Sequence, residues 1–166
     1  MPLERLWAGW RAPYLDEVTA DARPAEECLF CRLAAADADE AYVVARDDHA
    51  FVVLNAYPYT SGHVMVAPLR HEGDLEALSA DDATALMRLT QRATAAVKRA
   101  YAPDGVNVGV NLGAAAGAGV PGHLHVHVVP RWSADTNFMT AIAETRVLPE
   151  SLADTLVRLR EAWERA

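Results

Sequence analysis

The stretch "GHLHVHVVPRW", residues 122–132, alternates between histidine and an apolar residue from His123 to Val128. Side chains on a β-strand point to opposite faces in turn. A strand here puts His123, His125 and His127 on one face. Leu124, Val126 and Val128 fall on the other, where they can enter a core. The histidines then stand in a row, each roughly 6.5–7 Å from the next. Such a row can bind metal through neutral imidazoles, supply a nucleophile and acid–base groups for phosphoryl chemistry, or form the polar face of an exposed strand.

The preceding loop narrows the choice. "GAAAGAGVPG" (113–122) leads straight into the histidines. Small residues let backbone N–H groups approach a ligand, and runs of such groups hold phosphate oxygens. A Gly-rich loop beside a histidine row points to a phosphate centre next to a nucleophile.

Other elements follow from periodicity. "AYVVAR" (41–46), "AFVVLN" (50–55), "GHVMVAPL" (62–69), "GVNVGVNL" (105–112) and "HLHVHVVP" (123–130) read as strands, the last closed by Pro130. A short helix is expected around 25–36. The spacing of Leu86, Leu89, Ala93, Ala96, Val97 and Ala100 predicts a long helix over 79–101, with Ser79 as N-cap. A last helix runs through "SLADTLVRLREAWERA", capped at Pro149 or nearby. Strands in two groups around a long helix predict an α+β domain with a mostly antiparallel sheet of five strands. The expected division is an N-terminal arm (1–25, with Trp7 and Trp10), a domain over 26–147 and a C-terminal helix over 148–166.

The chain has 166 residues, 52% of them hydrophobic, enough for one domain with a real core. No apolar run approaches the roughly 20 residues of a membrane span, and no secretory signal opens the chain. A cytoplasmic protein without a membrane partner is expected. The net charge of −8 argues against nucleic acid as a main partner, because phosphate-backbone binding needs a basic face.

"HLHVHVV" resembles the His-x-His-x-His-apolar-apolar signature of the histidine triad (HIT) superfamily. "FVVLNAYPYTSGHVMVAPLRH" (51–71) is similar to that family's nucleoside-binding strand pair. "NLGAAAGAGVPGHLHVHVVPRWSADTNFM" (111–139) looks most like bacterial members close to diadenosine tetraphosphate phosphorylases and hydrolases. The resemblance implies a HIT-like fold that dimerises, or forms a tetramer, and an enzyme that cleaves dinucleoside polyphosphates through a nucleotidyl-histidine intermediate. His125 would be the nucleophile, and His127 would hold a phosphate oxygen or assist the leaving group. Asn55 would bind the ribose hydroxyls. Asn111 and the backbone of Gly117, Ala118 and Gly119 would line the phosphate loop. His63 would support the triad. Trp132, just past Pro130, is placed to stack on a base or a partner subunit, or simply to pack. Many family members carry Ser or Thr three residues before the triad, where this chain has Val120. Either a backbone N–H substitutes, or the leaving group is handled differently. The same triad also suits a hydrolase of nucleoside phosphoramidates or other adenylated small molecules. A nucleotide-binding sensor would be expected to lack a triad histidine, and all three are present.

Cys28 and Cys31 form a CxxC pair, in a cytosolic chain more often a metal or redox motif than a structural disulfide. In the zinc-containing branch that the sequence resembles, His71 and His123 complete a Cys₂His₂ set. This is a closed tetrahedral site with no open catalytic position. His49, in "DDHAF", reads as a solvated turn residue.

Overall fold

Strand alternation builds a sheet with two different faces. The structure is a computed structural model, and it describes residues 28–133, 135 and 150–166. The expected N-terminal arm, Pro149 and the "NFM" tail lie outside the described residues. The strands are β1 (Val43–Arg46), β2 (Ala50–Leu54), β3 (Val64–Pro68), β4 (Gly105–Val110) and β5 (Val126–Arg131). They lie in the order β1-β2-β3-β5-β4, and every neighbouring pair is antiparallel. Among the described residues three helices, α1 (Leu29–Ala35), α2 (Ala80–Tyr101) and α3 (Leu152–Trp163), complete the expected α+β fold.

One sheet face is covered by α2. Val52, Leu54, Val64, Val66, Leu124, Val126 and Val128 pack there against Leu86, Leu89, Ala93 and Val97. The helix forms because its apolar residues recur on one stripe. Ser79 caps it, its hydroxyl accepting from Asp82 N–H at 3.1 Å. The other face carries the alternate residues Val43, Phe51, Val53, Met65 and Ala67, which pack with Cys28 and Phe30 of the α1 segment. The histidines emerge on this second face.

Three details refine or correct the sequence expectation. Pro130 does not end its strand but pairs with Val106 inside it. It is tolerated because β3 pairs with β5 only as far as Val128, so no β3 ladder partner needs the missing N–H. The α3 cap is Ser151, which accepts from Asp154 N–H at 3.1 Å. His49 is not merely solvated: its Nδ1 lies 3.0 Å from Asp82 Oδ1 and ties the β1–β2 turn to the start of α2.

Candidate functional site

The regular strand β5 begins at Val126, and His123 to His125 approach it as an irregular segment. Leu124 N–H donates to the Glu72 carbonyl at 2.7 Å, which holds this entry in place. The alternation survives the irregularity. Leu124 joins the α2 core, while His125 and His127 face the opposite way with ring centroids 5.0 Å apart.

Hydrogen bonds assign a tautomer to each ring. His125 Nδ1 lies 2.8 Å from the His123 carbonyl, which can only accept. Nδ1 therefore carries the proton, and Nε2 keeps its lone pair. Burial holds this imidazole below its usual pKa, so it is neutral at pH 7. Tyr59 N–H donates to His63 Nδ1 at 3.1 Å, which leaves the His63 proton on Nε2. That Nε2 donates to His127 Nδ1 at 3.0 Å. His127 then carries its proton on Nε2 and can donate there. Burial, and then the neighbouring His125, push its pKa down to about 4. The site thus presents one nucleophilic nitrogen and one neutral N–H donor on adjacent rings.

Two aromatic residues that the sequence reading did not single out frame these rings. Phe30, 1% exposed, stacks on His125 at 4.7 Å between centroids and tilts against His123 at 5.2 Å. Tyr59 lies 4.6 Å from His63 and nearly parallel to His127 at 6.1 Å. Phe30 stands between the two cysteines of "CLFC", and that placement is the only local signal for it.

The remaining expected residues distribute unevenly. Asn55 sits beside the relay, with Nδ2 3.4 Å from His63 Nδ1, and its Oδ1 accepts from Tyr57 N–H at 2.9 Å. Asn111 Nδ2 donates to the Gly117 carbonyl at 3.3 Å. The Gly-rich loop is partly closed on itself. Gly117 N–H bonds to the Ala114 carbonyl at 2.8 Å and Ala118 N–H to Gly113 at 3.3 Å. Gly113 and Gly117 take the positive φ values of 75° and 91° that this tight turn requires. Gly119 is exposed at the loop's end. Val120 packs against the Cys28–Phe30 cluster, a role no hydroxyl residue would fill as well. Trp132 meets Tyr101 of α2 edge-on at 6.4 Å, a packing contact on the helix side of the sheet.

Beside the row lies a metal-competent cluster. The ligand atoms of Cys28, Cys31, His71 and His123 all lie within 4.8 Å of one another. His123 Nδ1 is 3.3 Å from Cys28 Sγ, and His71 Nδ1 is 3.4 Å from Cys31 Sγ. His123 Nε2 donates to the Pro68 carbonyl at 2.9 Å. That bond leaves the Nδ1 lone pair directed at the thiols, as an outer-shell hydrogen bond does for a metal-bound histidine. Two thiols and two imidazoles at this separation form a soft, tetrahedral donor set. The four residues are therefore close enough to bind a metal.

The HIT domain family model matches residues 37–134. The chain belongs to the HIT family. A HIT relative from Mycobacterium tuberculosis, named AP-4-A phosphorylase, is 42% identical over 98% of this chain and 86% of its own length. Protein hit of Bacillus subtilis is 30% identical over 69% of the chain and 77% of its own. Among solved HIT structures, a Zn-bound histidine triad family protein from Mycobacterium smegmatis superposes with a TM-score of 0.70. It is 28% identical, with 86% of this chain and 96% of that one covered. A histidine triad nucleotide-binding protein from Sulfolobus tokodaii gives 0.68 at 27% identity, covering 83% and 93%.

Proposed function

We propose that this HIT protein cleaves dinucleoside polyphosphates such as diadenosine tetraphosphate, with His125 as a covalent nucleophile. The observation that carries the chemistry is the His125 Nδ1–H bond to the His123 carbonyl, because it directs a neutral lone pair out of Nε2. The M. tuberculosis relative, similar along almost the whole chain, supports the substrate class.

In the first step Nε2 attacks the α-phosphorus, and the bond to the bridging oxygen breaks. ATP leaves, and the adenylyl group stays on His125 as a phosphoramidate. His127 Nε2–H donates to a phosphate oxygen and stabilises the charge that develops there. In the second step an oxygen of inorganic phosphate attacks the same phosphorus, releases ADP and returns the electron pair to Nε2. Water in place of phosphate gives AMP. Splitting one displacement into two in this way lowers the barrier of each. Asn55 is proposed to hold the ribose, and Asn111 with the backbone at Gly117, Ala118 and Gly119 to hold the polyphosphate. For Gly117 and Ala118 this requires the loop to release its own carbonyls. Trp132, on the helix side of the sheet against Tyr101, is proposed to pack there rather than to stack on a base.

Cys28, Cys31, His71 and His123 are proposed to hold structural zinc, on the strength of their donor set and spacing. All four positions are filled by protein, so the ion shapes the site and takes no part in bond making. Reduced cysteines of this kind suit the cytoplasm. A homodimer, or a tetramer built from it, is proposed because, among the described residues, the sheet ends at β4, whose flank exposes Val108 and Leu112.

The test is a product assay on diadenosine tetraphosphate with and without inorganic phosphate. ADP plus ATP, formed only with phosphate, is the expected result. AMP plus ATP without phosphate makes the protein a hydrolase. Absence of turnover in both conditions overturns the reading and favours phosphoramidates or other adenylated substrates.

A further inference from the structure

Gly62 and His63 are consecutive residues that face opposite sides of the sheet. His63 is buried on the histidine face and bonds His127. Gly62, at φ 82°, lies under the ring of Tyr101 at the end of α2. A Cβ built on Gly62 would come within 2.6 Å of that ring. Glycine is required here twice over, by the backbone angle and by the close approach of the ring.

The Tyr101 ring is itself held from several directions. Its hydroxyl donates to Glu150 Oε2 at 2.5 Å. Glu150 also accepts from Thr155 Oγ1 at 3.0 Å and pairs with Arg158 at 3.0 Å. The Arg158 guanidinium lies 5.1 Å over the Tyr101 ring. Trp132 also meets the ring, edge-on, and the ring packs against the helix-side core. Glu150 and His63 line one narrow crevice with Ser61, Gly62 and Thr155. Thr60, two residues before Gly62, anchors the same loop by donating to the Pro130 carbonyl at 2.8 Å. Glu150, Thr155 and Arg158 lie beyond residue 134, where the family match ends.

We propose that Tyr101 is a positioning residue, clamped by Glu150 and Arg158 of the C-terminal segment, that sets the His63–His127 relay by pressing on Gly62. The inference rests on the reading of His127 as a phosphate donor. A slip of the Gly62 backbone would carry the adjoining His63 with it and disturb its 3.0 Å bond to His127, and misplacement of a catalytic group by about 1 Å can cost roughly 10²-fold in rate. The same ring also packs edge-on against Trp132.

The experiment is a cycle of Tyr101→Leu and His63→Ala in the full-length, metal-loaded chain. Tyr101→Leu should lower kcat about 10-fold with KM within about 3-fold, while Tyr101→Phe, which keeps the ring, should restore most of the rate. In the His63→Ala background Tyr101→Leu should add nothing, because the group it positions is gone. Equal losses in both backgrounds, or an unchanged kcat in folded Tyr101→Leu, overturn the proposal. Tyr101→Met, which fills much of the space without the flat ring, gives the same cycle if Tyr101→Leu does not fold. The imidazole N–H proton between His63 and His127, followed by NMR without substrate, gives a readout independent of turnover. It should broaden in Tyr101→Leu and stay sharp in Tyr101→Phe, and an unaltered signal in Tyr101→Leu also overturns the proposal. If the unsubstituted enzyme turns over no dinucleotide, the functional reading fails, and the NMR signal still decides the positioning role.

Discussion

His63 Nε2 lies 3.0 Å from His127 Nδ1, across 64 residues of sequence. Because Tyr59 N–H occupies His63 Nδ1, this one bond assigns the proton on both rings. It leaves His127 as a donor rather than a base. His63→Ala should therefore lower kcat by roughly 10- to 100-fold, at or below the lower end of direct acid–base contributions, with little change in KM. Steady-state kinetics against the unsubstituted protein checks this. A large KM effect with unchanged kcat would assign His63 to substrate binding instead.

The pH dependence has a definite sign. The folded pKa of His127, about 4, lies below the value of about 6.5 in an unfolded chain. Between those values the unfolded state binds more protons, so stability should fall as pH drops through the window. His125, lowered by burial, acts in the same direction. His49 acts oppositely. Its pKa is raised, first by the hydrogen bond to Asp82, so its contribution is present below about 6.5 and lost as pH rises through the folded value. Urea midpoints across pH should decline on the acid side, and His49→Gln should steepen that decline. A midpoint that rises on acidification contradicts the assignment.

Metal removal should destabilise the fold before it touches the chemistry. Zinc bound by Cys₂His₂ sites contributes on the order of 10 kcal/mol of apparent binding energy coupled to folding. Chelation of a sample verified to hold zinc, or Cys28→Ser, should lower Tm by well over about 10 °C. Unchanged melting after verified removal overturns the structural role.

Phe30→Ala removes a ring that is 1% exposed and stacked on His125. The expected loss is about 3–5 kcal/mol, as for other large-to-small changes in a core. Chemical denaturation measures it, and a loss under about 1 kcal/mol would show that the site collapses around the gap.

Period-two patterning made the sheet faces legible in the sequence, because a half-buried strand forces its apolar residues to one side. The split of Leu124, Val126 and Val128 from the histidines follows from it. The long helix was legible for the same kind of reason, with Ser79 as its cap. The metal-competent tetrad was reached through family resemblance rather than spacing, since Cys31 and His123 are 92 residues apart. What stayed hidden depends on strand register. Pro130 sits within its strand because β3 stops short of it, and no local pattern reports where a neighbouring strand ends. The Tyr101–Gly62 contact and the Phe30 stack arise only when distant elements dock. The closing of the Gly117 and Ala118 amides onto their own loop is likewise a matter of turn geometry that a run of small residues leaves open.

The central claim is that His125 becomes covalently adenylylated. The most direct measurement is peptide mass mapping after enzyme and diadenosine tetraphosphate are mixed without phosphate and quenched in base, where a phosphoramidate survives. The expected result is one adenylyl group on the peptide bearing His125. It should be lost on adding inorganic phosphate, with release of ADP, and be absent from a folded His125→Ala protein that has lost roughly 10⁴-fold or more in turnover. Turnover without any adduct, an adduct on a different residue, or near-normal activity in His125→Ala would contradict the account.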